Sequence, residues 1–417
     1  MPFYKAIKSN SFVGFKRKGG LLDPDFFAGP VDNLWGWGTN DGGSNENKLI
    51  IIATGYGLTR FSSPIQTSFT THKFKTISLG SSESNFFGIK PNSPDDGGGT
   101  LWAFGTNGNS QLGFGDSDAR TSPVQVGART DYKKVTQGGN GYAHFLLTDG
   151  TLLACGYNLT WTMLGDGTNT SRSSPVQIGT GYFDVANSDN NTIASKSDGT
   201  IWSWGINGTQ QGDNSTFNFT GTFNDPAASR NTPNQIGSGG YNSVMASNYV
   251  GHGAAKSDGY LWGWGSVFGT FTTTPTQRTA YGTGWSNCNF GSSGQGKTAS
   301  VGAIIKSDGT LWMFGSNSVG QLGQGDTTSY SSPKQVGTNN NWFDFTVLID
   351  SVFATTTDRR MFSWGRNTDG VLCLGDTNNR SSPTQIGTKK RWGKIASKGS
   401  TYSGASTTVL ALSAVVT

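Results

Sequence analysis

The 417-residue chain is 33% hydrophobic, 12% aromatic and only 14% charged; its 50 aromatic side chains (25 Phe, 13 Trp, 12 Tyr) exclude a disordered polymer. No run approaches the roughly 18 apolar residues of a membrane-spanning helix, and the 62 glycines lack the three-residue period of collagen. The net charge of +5 is carried by the first 20 residues, which hold five bases and no acid, so the formally neutral remainder gives no hint of a nucleic-acid-binding basic stripe.

Residues 1–33 read as an N-terminal arm. Its first part interleaves Phe3, Tyr4, Phe12 and Phe15 with Lys5, Lys8, Lys16, Arg17 and Lys18. It lacks the apolar core of a secretory signal. Aromatics set among positive charges suit an acidic groove on another protein, with nucleic acid the lesser expectation. Phe3, Tyr4, Lys5, Phe12, Phe15, Lys16, Arg17 and Lys18 are therefore the expected partner-binding residues of the arm.

From residue 34 one unit recurs. A strand-like stretch ending in glycine reads Leu34-Trp-Gly-Trp-Gly38, Leu101-Trp-Ala-Phe-Gly105, Leu152-Leu-Ala-Cys-Gly156, Ile201-Trp-Ser-Trp-Gly205, Leu261-Trp-Gly-Trp-Gly265, Leu311-Trp-Met-Phe-Gly315 and Met361-Phe-Ser-Trp-Gly365. Each is followed by Pro-x-Gln, first at Pro64 and last at Pro383, and then by an aromatic with an apolar residue three positions on, from Phe74/Ile77 to Trp392/Ile395. The two aromatics of the motif strand, at i and i+2, share one face, and the small residue between them fits closely approaching sheets. Asp-Gly pairs at Asp149, Asp198, Asp258 and Asp308 predict two-residue type I′ hairpins before the motif strand. Units of ~40–50 residues, each one four-stranded sheet, mean a β-propeller. The expected fold is all-β: seven blades of four antiparallel strands over residues 34–417, plus the arm.

Two stretches break the pattern. Asn85 to Gly99 reads as an extended hairpin tip. In unit 4 the spacing from motif glycine to Pro-x-Gln grows to 28 residues, against 18 or 19 in units 2, 3, 6 and 7. Its excursion places Phe217, Phe219 and Phe223 in a polar loop, a second expected partner-binding surface. At the C-terminus, residues 407–412 form an apolar strand that stops where a motif strand is due, whereas Leu34 begins without a strand before it. The two are expected to pair and close the ring, leaving no open sheet edge.

No catalytic constellation, metal site or cofactor is expected. His144 and His252 read as blade residues. Cys155, Cys288 and Cys373 form no close pair, and Cys155 and Cys288 stand where the repeat has apolar side chains. The glycine-rich runs lack the strand-to-helix context and lysine of a phosphate loop.

The order aromatic-Gly-x-Asn, Gln-Leu-Gly, Gly-Asp, Pro-x-Gln resembles the regulator of chromosome condensation repeat. It is fullest at Phe104–Gly113 with Gly115-Asp116, and at Phe314–Gly323 with Gly325-Asp326. The resemblance implies a seven-bladed propeller. Its members include an exchange factor for a nuclear small GTPase, a secreted β-lactamase inhibitor and a plant ultraviolet photoreceptor, so fold does not carry function. The low charge and the Gly, Ser, Thr and Asn richness lead to the first expectation, a non-enzymatic virion component. It would be a phage tail, fibre or capsid decoration, anchored to other virion proteins by residues 1–33 and touching a host surface protein or glycan through its loops. The alternative is a soluble, cytoplasmic protein-interaction regulator resembling an exchange factor or inhibitor.

Overall fold

The computed structural model describes residues 17–18, 21–22, 34–39, 60–66, 73–80, 85–93, 97–188, 190–206, 229–247, 251–267, 270–285, 289–293, 301–348, 350–368, 370–388, 390–398 and 408–413. They form seven four-stranded antiparallel sheets arranged as a propeller ring. Blade 3 is representative. From axis to rim it runs Tyr132–Gly138, Tyr142–Leu147, Leu152–Gly156 and Arg172–Gly179. The aromatic signature thus opens the inner strand, the motif strand lies third, and Pro-x-Gln marks the outer strand. The inner strands touch one another in unbroken succession around the axis.

Blade 1 joins the two ends of the chain. It is ordered Trp392–Lys398, Thr408–Ser413, Leu34–Thr39, Arg60–Gln66. Leu34 pairs with Leu412, Gly36 with Leu410 and Gly38 with Thr408, which is the expected closure. Val409, Ala411 and Leu412 are buried there.

Strand alternation explains the motif. Its Leu or Ile faces the following blade and its aromatics face the preceding one. Leu146 and Leu152 of blade 3 thus pack on Tyr182, Val185, Ala194 and Trp204 of blade 4. Ile193 and Ile201 of blade 4 meet Tyr241, Val244, Ala254 and Trp264 of blade 5 in the same way. The second aromatic also ties blades by a hydrogen bond: Trp204 Nε1 donates to Met163 O and Trp364 Nε1 to Gln321 O, each 3.0 Å.

The Asp-Gly turns differ from the expected type I′ form. Lys196 N donates to Thr200 O and Gly199 N to Lys196 O, so the loop has three residues, Ser197 to Gly199. Only the glycine takes positive φ, +78° at Gly199. Asp198 keeps negative φ because its carboxylate has a better use: Oδ1 accepts from Thr200 N and Thr200 Oγ1 at 2.9 and 2.6 Å. A type I turn followed by a left-handed glycine results.

His144 and His252 lie on second strands, fully buried. The His144 ring meets Trp204 edge-on at 5.4 Å, and its Nε2 donates to Leu164 O at 3.1 Å. Burial pushes the His144 imidazole down to about 4. The folded state therefore takes up its proton later than the unfolded chain as pH falls. Stability from this group is full above the unfolded value of about 6.5 and is lost between there and about 4, by about 3 kcal/mol in all. Thermal midpoints at pH 7 and pH 4.5 should differ more for the parent protein than for His144→Gln; an equal difference would overturn the assignment.

Candidate functional site

The loops between motif and outer strands are held from inside. In blade 6 the fully buried Asn317 accepts from Leu322 N at 2.8 Å and donates through Nδ2 to Asp326 Oδ1 and Thr328 O at 3.0 and 2.9 Å. Asn107, Asn158 and Asn367 repeat the arrangement with Leu112, Leu164 and Leu372. The aspartate then clamps the start of the outer strand: Asp116 to Arg120 at 2.6 Å, Asp166 to Arg172 at 2.7 Å, Asp376 to Arg380 at 2.5 Å. The Asn, Leu and Asp of the signature thus build the loop rather than a binding site. In blade 5, where the spacing falls to 10, Val267 pairs directly with Thr270 and this loop is absent.

At the opposite, Asp-Gly-turn end, aromatic side chains grip basic ones. Lys196 lies 4.9 and 4.4 Å from the ring centres of Tyr182 and Trp202. Lys256 sits likewise over Tyr241 and Trp262, and Lys306 over Trp285 and Trp312. In blade 1, Arg391 lies over Trp35 and Trp392. These contacts account for four of the nine motif tryptophans, Trp35, Trp202, Trp262 and Trp312, as framework.

Nearer the axis the inner strands open with bulges. Tyr182 pairs with Lys196 and Asp184 with Ser195, so Phe183 has no rung of its own. Phe343 is bypassed in the same way in blade 7, Asn242 in blade 5 and Lys133 in blade 3. A bulge turns the extra side chain out of the ladder. Phe183 and Phe343 are 47% and 41% exposed. Lys133 Nζ lies 4.9 Å from the Phe183 ring centre and Lys394 Nζ 5.1 Å from that of Phe343. Just behind them, Lys134 pairs with Asp184 at 2.6 Å and Lys394 with Asp344 at 3.3 Å, each bridging adjacent blades. The mouth of the ring therefore presents two aromatic side chains on a framework cross-linked beneath them. The sequence reading did not single out either phenylalanine.

Of the expected site residues, Phe3, Tyr4, Lys5, Phe12, Phe15 and Lys16 of the arm and Phe217, Phe219 and Phe223 of the loop lie outside the described residues. Arg17–Lys18 is a short strand paired with Leu21–Leu22, and the latter lies beside the outer strand Arg60–Gln66 of blade 1. Cys155 and Cys373 are buried, and burial pushes both thiols up, away from reactivity. Cys288 lies outside the described residues. Among the described residues, no three His, Cys, Asp or Glu side chains come together to hold a metal ion, and no helix is long and apolar enough to cross a membrane.

Human WBSCR16 has a similar fold, with TM-score 0.64 and 18% identity, covering 93% of this chain and 100% of that one. Prp20p from Saccharomyces cerevisiae, described with binding properties to Gsp1p and histones, matches with TM-score 0.67 and 13% identity over 92% of each chain. The yeast RCC1 (Prp20) structure bound to Kap60 gives 0.69 and 13%, over 99% of this chain and 96% of that one. The family profile described as the regulator of chromosome condensation (RCC1) repeat matches residues 308–347 and 358–405. Each matched stretch begins in the turn before one motif strand and runs through the inner strand of the next blade, so the repeat straddles a blade boundary. The chain is a seven-bladed propeller whose residues 308–347 and 358–405, in blades 6, 7 and 1, match the RCC1 repeat profile.

Proposed function

We propose that this chain is a protein-interaction regulator, a propeller that binds another protein through the mouth of its ring. The observation that carries the reading is the exposure of Phe183 and Phe343 on bulged inner strands, braced by ion pairs between blades. Rigid aromatic side chains on a fixed framework lose little entropy on binding. The virion reading rested on composition, whereas the likeness to Prp20p, a binder of Gsp1p and histones, supports a regulator better. Binding rather than bond chemistry is then the activity, and the arm residues Phe3 to Lys18 and Phe217, Phe219 and Phe223 are further proposed contacts.

The test is native size fractionation with mass spectrometry of co-migrating chains, using the parent protein and the double variant Phe183→Ala/Phe343→Ala. A 1:1 complex lost at least tenfold in the variant, with an unchanged thermal midpoint, is expected. Recovery of both proteins in megadalton particles beside capsid or tail proteins would overturn the reading. Where the partner is a GTPase, accelerated nucleotide release identifies exchange activity.

A further inference from the structure

The side chains at equivalent inner-strand positions are not scattered around the ring. Directly after the signature aromatic, in spatial order, Phe343 of blade 7 is followed by Gly393 of blade 1, Lys75 of blade 2, Lys133 of blade 3 and Phe183 of blade 4; Lys394, one residue on in blade 1, adds a lysine that is paired with Asp344. A basic arc spanning three adjacent blades is thus bracketed by the two exposed phenylalanines. Blade 5 has Asn242 at this position. Exposed Lys73 and Lys390, next to the same strands, extend the positive charge. Lysines thus outnumber the aspartates Asp131, Asp184 and Asp344 along this arc, although the propeller is formally balanced as a whole.

We infer that this arc is the docking surface for an acidic segment of a partner protein, one whose carboxylates meet Lys133 and its neighbours while apolar side chains seat on Phe183 and Phe343. The inference rests on the reading of the chain as a protein-binding regulator and names the chemistry of the partner. Charge complementarity selects the occupant. The chain's own N-terminal arm carries five bases and no acid in its first 20 residues, so the arc repels it. A nucleic-acid backbone, charged at every step, would meet Asp131, Asp184 and Asp344 interspersed among the lysines. Discrete carboxylates can avoid these. The two phenylalanines stand at opposite ends of the arc, not in the close succession on which neighbouring bases stack.

The probe is a fluorescent 20-residue peptide of Glu and Asp with two Leu-Phe pairs. Binding to the full chain is read by anisotropy, beside a matched peptide with Gln and Asn and a single-stranded oligonucleotide of similar charge. The acidic peptide should bind at least tenfold more tightly than the neutral one, and weaken at least fivefold between 50 and 300 mM salt. Lys133→Glu should weaken it at least fivefold, and Lys133→Arg should restore most of the loss. Equal binding of the two peptides, indifference to Lys133→Glu, or tighter binding of the oligonucleotide would each overturn the inference. If Phe183→Ala/Phe343→Ala still abolishes complex formation in that event, the regulator reading stands and only the acidic partner is wrong.

Discussion

Deleting residues 408–417 should abolish the soluble monomer. The strand Thr408–Ser413 is the second strand of blade 1, bonded on one side to Trp392–Lys398 and on the other to Leu34–Thr39. Its removal takes buried Val409, Ala411 and Leu412 out of the core. Full burial of a Val or Leu side chain contributes about 1.5–3 kcal/mol, but the larger consequence is topological. Two unpaired strand edges are left facing each other across a gap, and such edges recruit further chains. Size-exclusion chromatography should show oligomers or aggregate, and a synthetic peptide of residues 407–417 added during refolding should recover monomer. A truncated protein that stays monomeric with the parent thermal midpoint would show that the closure is dispensable.

Gly365→Ala should destabilise the fold by about 3 kcal/mol or more, a value in the range reserved for backbone strain and forced repacking. Gly365 ends the motif strand of blade 7 with φ +98°. A Cβ there would lie 2.1 Å from Asp350 O. That carbonyl cannot retreat freely, because it accepts a hydrogen bond from Arg366 N at 2.7 Å. Gly205 in blade 4 repeats the geometry against Asn190 O, so Gly205→Ala is expected to behave alike. The control is Gly108→Ala, where an added Cβ meets nothing within 4 Å. Denaturation midpoints of the three variants check this, and similar values for Gly365→Ala and Gly108→Ala would refute it.

The invariance of that glycine shows why the fold was legible in the sequence. Every blade ends its motif strand in glycine, six of the seven carry the alternating aromatics, and four share the Asn-to-Leu bracing. Repetition therefore makes each requirement visible several times over, and the closure followed from what the first and last units lacked. The turn geometry was misjudged because Asp-Gly was taken as a pair of left-handed residues, whereas the Asp carboxylate caps its own turn and leaves only the glycine left-handed. The candidate site was hidden for the opposite reason. A bulge places Phe183, Phe343 and Lys133 in a position with no recurring residue type, between the aromatic and apolar residues that do recur. A charge count, moreover, sums over faces that only the fold separates.

The seam in blade 1 also sets how the ring responds to force. Leu34 pairs with Leu412 in an antiparallel register, so the chain entering the seam and the chain leaving it lie at the same end of the pair. Tension between these two points would load the rungs one after another, as in a zipper, rather than all together in shear. The closed ring would thus open at low load from a single corner, beginning at Leu34 and Leu412 and ending at Gly38 and Thr408.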